Sequence, residues 1–373
     1  MVKKIAVVGV GKLGICFALN FERSGFEVWG IETNADYLNS LKDGAFRSAE
    51  PEVDQLLLKA QHLHFTDGLD CISENDIDDI FIMVATPSLA DGSYDHSQVD
   101  RVADRLVEIA DKEHTRHVYV GCTTMPGYCN DLTKRLEPYG YTVSYNPEFI
   151  AQGAIIHDQR FPDQILIGEA SVEVGDRLQF IYEAMVQNNP VYCRMDPLSA
   201  EIAKLATNCF LTTKISFANS IGDMAVTAGA DPDKILAAVG ADSRIGGKYL
   251  KYGFGFGGPC FPRDNRALGK FGEMLSMPLH LSNSTDKIND EHFDFQFNQY
   301  LGKYAEGEEV VFNGVAYKKG TTQITESQQL RLAVALAKSG RAVRVVDNKE
   351  VLNQIAQLYP GLFELEESVV RSS

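Results

Sequence analysis

The stretch "GFGFGGPCFPRDNRAL", residues 253–268, sets one thiol, Cys260, between a glycine-dense loop and a segment that reads as the start of a helix. Pro262 suits a first helical turn and Asp264 an early acidic position. Cys260 is therefore expected just before a helix N-terminus, where the dipole favours the thiolate as a nucleophile. The glycines from Gly253 to Gly258 let backbone close around a ligand that side chains there would obstruct. Asp264 is placed to bond a reactive oxygen or a water. Standing alone, the stretch reads more readily as a buried structural cysteine after a flexible loop. A nucleophile needs a cofactor, an acid or base, and an anion-stabilising group elsewhere in the chain.

Each of these has a candidate. Lys204 and Asn208 are four apart in a long apolar-periodic segment without glycine or proline from Ser199 to Ile221, so they share one helical face. Together they offer a charge and an amide donor to a developing oxyanion. The competing reading is a lysine that reaches into solvent. In "SYNPEF", Pro147 biases Asn146 away from helix, so Glu148 projects from a strand end to position water or take a proton, or else stands in solvent as an ordinary loop carboxylate. Thr86 and Thr123 follow the strands "DDIFIMV" and "HVYVG", at the carboxyl ends where an open parallel sheet binds ligands. Their hydroxyls suit a ribose, a nicotinamide or a water, and serve equally as loop caps.

The elements that position these residues begin at the N-terminus. "KKIAVVGVGKLGICFALNFERSGFEVWGIETN" reads as strand, glycine turn, helix and second strand ending in an acid. Gly9, Gly11 and Gly14 fit the dinucleotide fingerprint, with the pyrophosphate on the first turn of the helix at Lys12 and Leu13. Glu32, eighteen positions past Gly14, accepts from the adenosine ribose and repels a 2′-phosphate, which selects NAD over NADP. The bland alternative is a structural turn that binds nothing.

Composition sets the frame. At 373 residues, two or three domains are expected. With 45% hydrophobic and 23% charged residues the chain is an ordinary globular protein, and its net charge of −16 argues against nucleic acid or an anionic membrane as partner. No leader or membrane span is apparent, so the expected compartment is the cytoplasm. Seven scattered cysteines form neither a metal-ligand pair nor a disulfide framework, and no metal site is expected.

Taken together the motifs are similar to those of the UDP-glucose/GDP-mannose dehydrogenase family, most closely its UDP-glucose 6-dehydrogenase branch. The resemblance runs from residue 1 to about 347 through "NPEFI", "KLATN", "DSRIGGKYLKYGFGFGG", "GGPCFPRD" and "GVAYKKGTTQITES". It implies two Rossmann-like doubly wound α/β domains joined by a helical connector, the C-terminal one short. The expected division is an NAD domain over 1–196, a connector and dimerisation region over 197–297, and a sugar-nucleotide-binding domain over 298–373.

The resemblance further implies NAD-dependent, four-electron oxidation of a nucleotide-sugar C6 alcohol to the uronic acid. Cys260 captures the intermediate aldehyde and carries the later thioester. Lys204 and Asn208 stabilise oxyanions, Asp264 supports proton transfer, and Glu148 with Thr123 positions the hydrolytic water. The UDP-sugar is further held by Phe149, Ile150, Gln152, Tyr249, Phe256, Gly257 and Lys318, and Arg263 joins the cofactor contacts. Arg244 reaches the adjacent subunit of a homodimer. UDP-glucose is the expected substrate, with another UDP-hexose, a UDP-N-acetylhexosamine or GDP-mannose as alternatives.

The chain departs from the family pattern at several positions. Gln152 replaces a glutamate, Pro259 a serine, Arg263 a lysine, Thr322 and Gln323 two acids, and Thr325 an arginine. Gln152, Pro259 and the short C-terminal domain keep open a sugar-nucleotide-binding protein that has lost turnover. A one-step β-hydroxyacid dehydrogenase shares the cofactor domain but has no use for Cys260.

Overall fold

The structure, a computed structural model, describes residues 3–150 and 152–368. In β1 (Lys4–Val8), Ile5 and Val7 enter one apolar layer while Ala6 and Val8 enter another. Both faces of this strand are buried, as in a parallel sheet covered by helices on both sides. Seven further strands join it: β2 (Glu27–Ile31), β3 (Leu63–Thr66), β4 (Asp79–Ile82), β5 (Arg116–Val120), β6 (Tyr141–Tyr145), β7 (Gln164–Gly168) and β8 (Val191–Met195). Their order is β3-β2-β1-β4-β5-β6-β7-β8. Every pairing is parallel except β6 with β7, which is antiparallel where Tyr145 faces Gly168. The order reverses between β1 and β4, the crevice where such sheets take their ligand.

One layer packs Phe17 and Phe21 of helix Lys12–Arg23 against Phe81, Ile155, Leu178 and Ile181. The Phe21 and Phe81 rings lie 4.8 Å apart, and truncating either would cost about 3–5 kcal/mol. The opposite layer seats Val99, Ala103 and Leu106 of helix Ser97–Glu108 beside Leu132 and Leu136 of helix Tyr128–Leu136. This is the doubly wound arrangement expected from the sequence.

The chain divides into two compact units, Met1–Lys204 and Leu205–Ser373. Helix Pro197–Thr227 runs through the division and continues past Gly222, where a Cβ would lie 1.9 Å from the Tyr252 ring. The second unit adds helices Pro232–Gly240, Phe261–Met274 and His280–Lys303. It ends in a short α/β sheet of parallel strands β9 (Glu309–Asn313), β10 (Ala342–Asp347) and β11 (Glu364–Glu367), ordered β11-β10-β9. Val310, Phe312, Val343 and Val345 pack there against Leu332 and Leu336 of helix Gln328–Lys338 and Ile355 of helix Lys349–Leu358. Among the described residues no helix is long and apolar enough to cross a membrane, and no cluster of side chains is arranged to hold a metal ion.

Candidate active site

The glycine turn after β1 has the shape its spacing predicts. Gly9 adopts φ +90°, and a Cβ on Gly14 would sit 2.0 Å from the Gly9 carbonyl oxygen, so the helix packs directly on the turn. Gly11 is the N-cap residue and no side chain caps the first turn of Lys12 and Leu13, which leaves backbone N–H groups to meet an anion. A Cβ on Gly11 would meet nothing within 4 Å, so backbone is open to close approach there. Glu32 follows β2 and accepts from Asn34 N–H through Oε1 at 2.9 Å. These residues fit a dinucleotide.

Two neighbouring loops are tied together. The Thr86 hydroxyl donates to the Thr123 carbonyl at 2.7 Å, and Met125 N–H donates to His96 Nε2 at 3.1 Å. His96 stacks on Tyr128 with ring centres 3.9 Å apart, and burial lowers its pKa against the pull of Asp100 and Asp95. A residue the motifs did not single out completes this loop. Glu201 is fully buried and accepts from the Thr124 hydroxyl at 2.9 Å, from Gly127 N–H at 2.6 Å and from Cys129 N–H at 2.9 Å. An acid three positions before Lys204 in an otherwise apolar run was the available signal.

Glu148 and Lys204 meet in the same unit. Lys204 is 6% exposed, and its ammonium donates to the Glu148 carbonyl at 2.5 Å and lies 4.2 Å over the Phe149 ring. The solvent-facing alternative for this lysine is therefore excluded. The Glu148 carboxylate accepts from the Tyr182 hydroxyl at 3.0 Å. Burial raises it to about 7, opposed by the Tyr182 hydrogen bond and the Lys204 charge. A carboxyl that titrates near neutrality is suited to moving a proton from water. Phe149 and Ile150 pack against opposite core layers, and Gln152 is partly buried. Glu50 holds the loop that follows, with both carboxylate oxygens 2.9 Å from Gly153 N–H.

The second unit carries the thiol. Cys260 is the N-cap residue of helix Phe261–Met274, with Pro262 in the first turn. None of the seven cysteines forms a disulfide, and Cys260 is the exposed one. By contrast, burial pushes Cys16 and Cys71 up to about 12. Asp264, in the first turn, is buried and accepts from the Asn208 side-chain amide at 2.6 Å. Arg263 lies 3.4 Å from the same carboxylate.

The glycine loop before Cys260 is packed tightly. A Cβ on Gly255 would lie 2.2 Å from Asn289 Oδ1, and Gly258, at φ +83°, lies against Tyr317. Gly257 backs onto the Glu326 carbonyl, and Phe256 is buried. Gly258 N–H donates to the Thr325 carbonyl at 3.0 Å, while the Thr325 hydroxyl bonds Gln323. The backbone at Thr325 thus fastens the thiol's own loop, while the side chains of Gln323 and Thr325 bond each other. Tyr249 adopts φ +63° and is exposed, and Lys318 accepts through its carbonyl from Thr321. Arg244 is exposed and pairs with Asp242 at 2.6 Å.

Comparison with known proteins matches the NAD-binding domain of the UDP-glucose/GDP-mannose dehydrogenase family to residues 3–186 and the family's central domain to residues 198–291. The UDP-glucose 6-dehydrogenase YwqF of Bacillus subtilis is 29% identical over 98% of this chain and 84% of its own length. A UDP-glucose dehydrogenase from Pyrobaculum islandicum superposes with a TM-score of 0.88 at 29% identity, over 99% of this chain and 87% of its own. The GDP-mannose dehydrogenase of Pseudomonas aeruginosa gives 0.60 at 25%, over 98% and 88%.

Proposed function

Because the chain belongs to the UDP-glucose/GDP-mannose dehydrogenase family, we propose that it oxidises the C6 alcohol of a nucleotide sugar to the uronic acid, with UDP-glucose as its substrate. NAD is the cofactor, and when bound it supplies the hydride acceptor for both oxidations. Gly9, Gly11, Gly14 and the first turn of the following helix hold its pyrophosphate, and Glu32 its adenosine ribose. Thr86 and Thr123 line the same crevice.

In this reading the Cys260 sulfur bonds the C6 carbon of the aldehyde and the thiol proton passes to the oxygen, giving a thiohemiacetal. Loss of a hydride and a proton leaves the thioester. Water then adds, the carbon–sulfur bond breaks, and the thiol is restored as the uronic acid leaves. Lys204 and Asn208, one turn apart on one helix, oppose the negative charge on oxygen. Asp264 orients Asn208 and takes part in proton transfer, and Glu148 receives the proton of the attacking water, with Thr123 helping to place that water. Phe149, Ile150, Gln152, Tyr249, Phe256, Gly257 and Lys318 are the proposed contacts to the sugar nucleotide, with Arg263 toward the cofactor.

The observation that carries this reading is the exposed Cys260 at a helix N-terminus whose first turn holds the buried Asp264, hydrogen-bonded to Asn208. A one-step dehydrogenase has no role for it. Within the second unit we assign residues up to 297 to a connector and 298–373 to sugar-nucleotide binding. Phe210, Phe217 and Met224 form an exposed apolar row at seven-residue spacing on helix Pro197–Thr227. We assign this row to pairing with a second copy in a cytoplasmic homodimer, whose partner site Arg244 would approach.

NADH formation measured against a panel of UDP- and GDP-sugars tests the reading. Two NADH per UDP-glucose are expected. Preference for GDP-mannose or a UDP-N-acetylhexosamine would reassign the substrate, and turnover of none would leave a binding protein.

A further inference from the structure

His292, on helix His280–Lys303, is 2% exposed and has no part in the chemistry above. Its Nε2 lies 2.6 Å from the Gly253 carbonyl oxygen and its Nδ1 2.8 Å from Asp223 Oδ2. A carbonyl oxygen only accepts, so Nε2 carries a proton toward Gly253, and an ionised Asp223 would accept a second from Nδ1. The other Asp223 oxygen accepts from the Tyr252 hydroxyl at 2.8 Å, so both oxygens of this side chain are engaged.

Other side chains hold the same loop. Gln296 donates to the Gly253 carbonyl at 3.1 Å, and Asn219 accepts from Gly253 N–H at 3.1 Å. Asn289, one turn before His292 on the same helix, both accepts from Phe256 N–H at 2.9 Å and donates to its carbonyl at 3.0 Å. The backbone from Gly253 to Phe256 is therefore fastened to two helices, and four residues later the chain reaches Cys260.

We infer that His292, held as a cation by Asp223, is a positioning residue for Cys260: its charged N–H fastens the first residue of the glycine loop and so fixes where the thiol stands. The role assigned to the thiol rests on the function proposed above, while the clamp itself does not. An imidazolium between a carboxylate and a carbonyl makes two charge-assisted hydrogen bonds, stronger than neutral ones and costly to lose when buried.

Long-range proton–nitrogen correlation of histidine-labelled wild-type protein is expected to show both His292 nitrogens protonated. The pattern of a neutral tautomer would overturn the inference without any variant. In parallel, amide hydrogen exchange across residues 250–262 is compared in wild type, His292→Phe and Asp223→Asn. Phenylalanine keeps the ring and removes both donors, and asparagine keeps the shape and removes the anion. Both should speed exchange of this segment roughly tenfold, the scale of one charge-assisted hydrogen bond. They should also lower kcat with KM for NAD unchanged, and His292→Gln, which retains one donor, should recover part of each loss. Wild-type exchange and kcat in His292→Phe would make the ring mere packing. A chain that oxidises no nucleotide sugar yet shows both protonated nitrogens would count against the proposed function and support the clamp.

Discussion

The Tyr182 hydroxyl stands 2.7 Å from Asn146 Oδ1 and 3.0 Å from Glu148 Oε1, so one proton faces two acceptors. When Glu148 is ionised the tyrosine cannot satisfy both fully. When Glu148 is protonated it donates to the tyrosine oxygen, and the tyrosine donates to Asn146. Burial raises this carboxyl to about 7, and the shared Tyr182 hydroxyl, by donating to the ionised form, offsets only part of that rise.

Glu148 is therefore expected to appear in the pH profile. As the proposed base it must be ionised, so kcat should rise with pH through about 7. Glu148→Gln should remove that limb and slow thioester hydrolysis by roughly 10²–10⁴-fold, the usual worth of a positioned base. Tyr182→Phe should move the limb to higher pH, because the hydrogen bond it removes lowers the Glu148 pKa. The stability linkage runs the opposite way to activity. A folded carboxyl raised above its ordinary 4.5 gives stability that is complete below that value and lost as pH climbs through about 7. Rate profiles and denaturant midpoints across this range check both signs.

Lys204→Ala should cost about 10²–10³ in turnover, the loss typical of one oxyanion donor, with NAD affinity nearly unchanged. Single-turnover NADH formation measures it, and cofactor titration supplies the control. Normal turnover in the variant would reduce Lys204 to a structural contact with the Glu148 carbonyl.

Glu201→Ala should destabilise the first unit by about 1–3 kcal/mol or more, since it strips the acceptor from buried Cys129 N–H, Gly127 N–H and the Thr124 hydroxyl. Chemical denaturation reads the change. Glu201→Gln keeps an oxygen for one or two of these donors and should lose less.

His96 predicts an acid-sensitive loop. Its folded pKa is lowered by burial, so the stability it confers is present above about 6.5 and lost as pH falls through the folded value. Protonation also turns Nε2 from an acceptor for Met125 N–H into a donor. His96→Gln should therefore flatten the fall in thermal midpoint as pH drops below about 6.5. An unchanged slope would mean that other groups carry the acid transition.

What was legible in the sequence was local. The Gly9–Gly14 turn, the strand ends at Glu148 and Thr123, the four-residue spacing of Lys204 and Asn208, and the capping position of Cys260 are set by residues within a few positions of one another. The clamps were not legible, because their partners are remote in the chain. Glu201 reaches Gly127 across 74 positions, Glu50 reaches Gly153 across 103, and His292 reaches Gly253 across 39. Periodicity places such a residue on a buried face without revealing which backbone group it meets. The 31-residue helix Pro197–Thr227 also outran its glycine-free core, because Gly222 answers to the ring of Tyr252 rather than to helix propensity.

The decisive prediction concerns Cys260. Its thiol is exposed while burial raises the pKa values of the Cys16, Cys71, Cys129 and Cys209 thiols, so the proposed covalent capture falls on this residue. Cys260→Ser keeps the loop and the helix cap but replaces the thiol with a hydroxyl, whose alkoxide is far harder to generate near neutral pH and whose ester is less readily hydrolysed. The variant should still complete a first hydride transfer and then stall, yielding at most about one NADH per sugar where wild type yields two. Mass spectrometry of the stalled protein should find the product released as aldehyde or bound as an ester at residue 260, whereas quenched wild type should show a thioester there. Repeated turnover to the uronic acid at the wild-type rate would eliminate the covalent route, leaving the glycine loop as a binding element and the Asn208–Asp264 pair as a brace within the second unit.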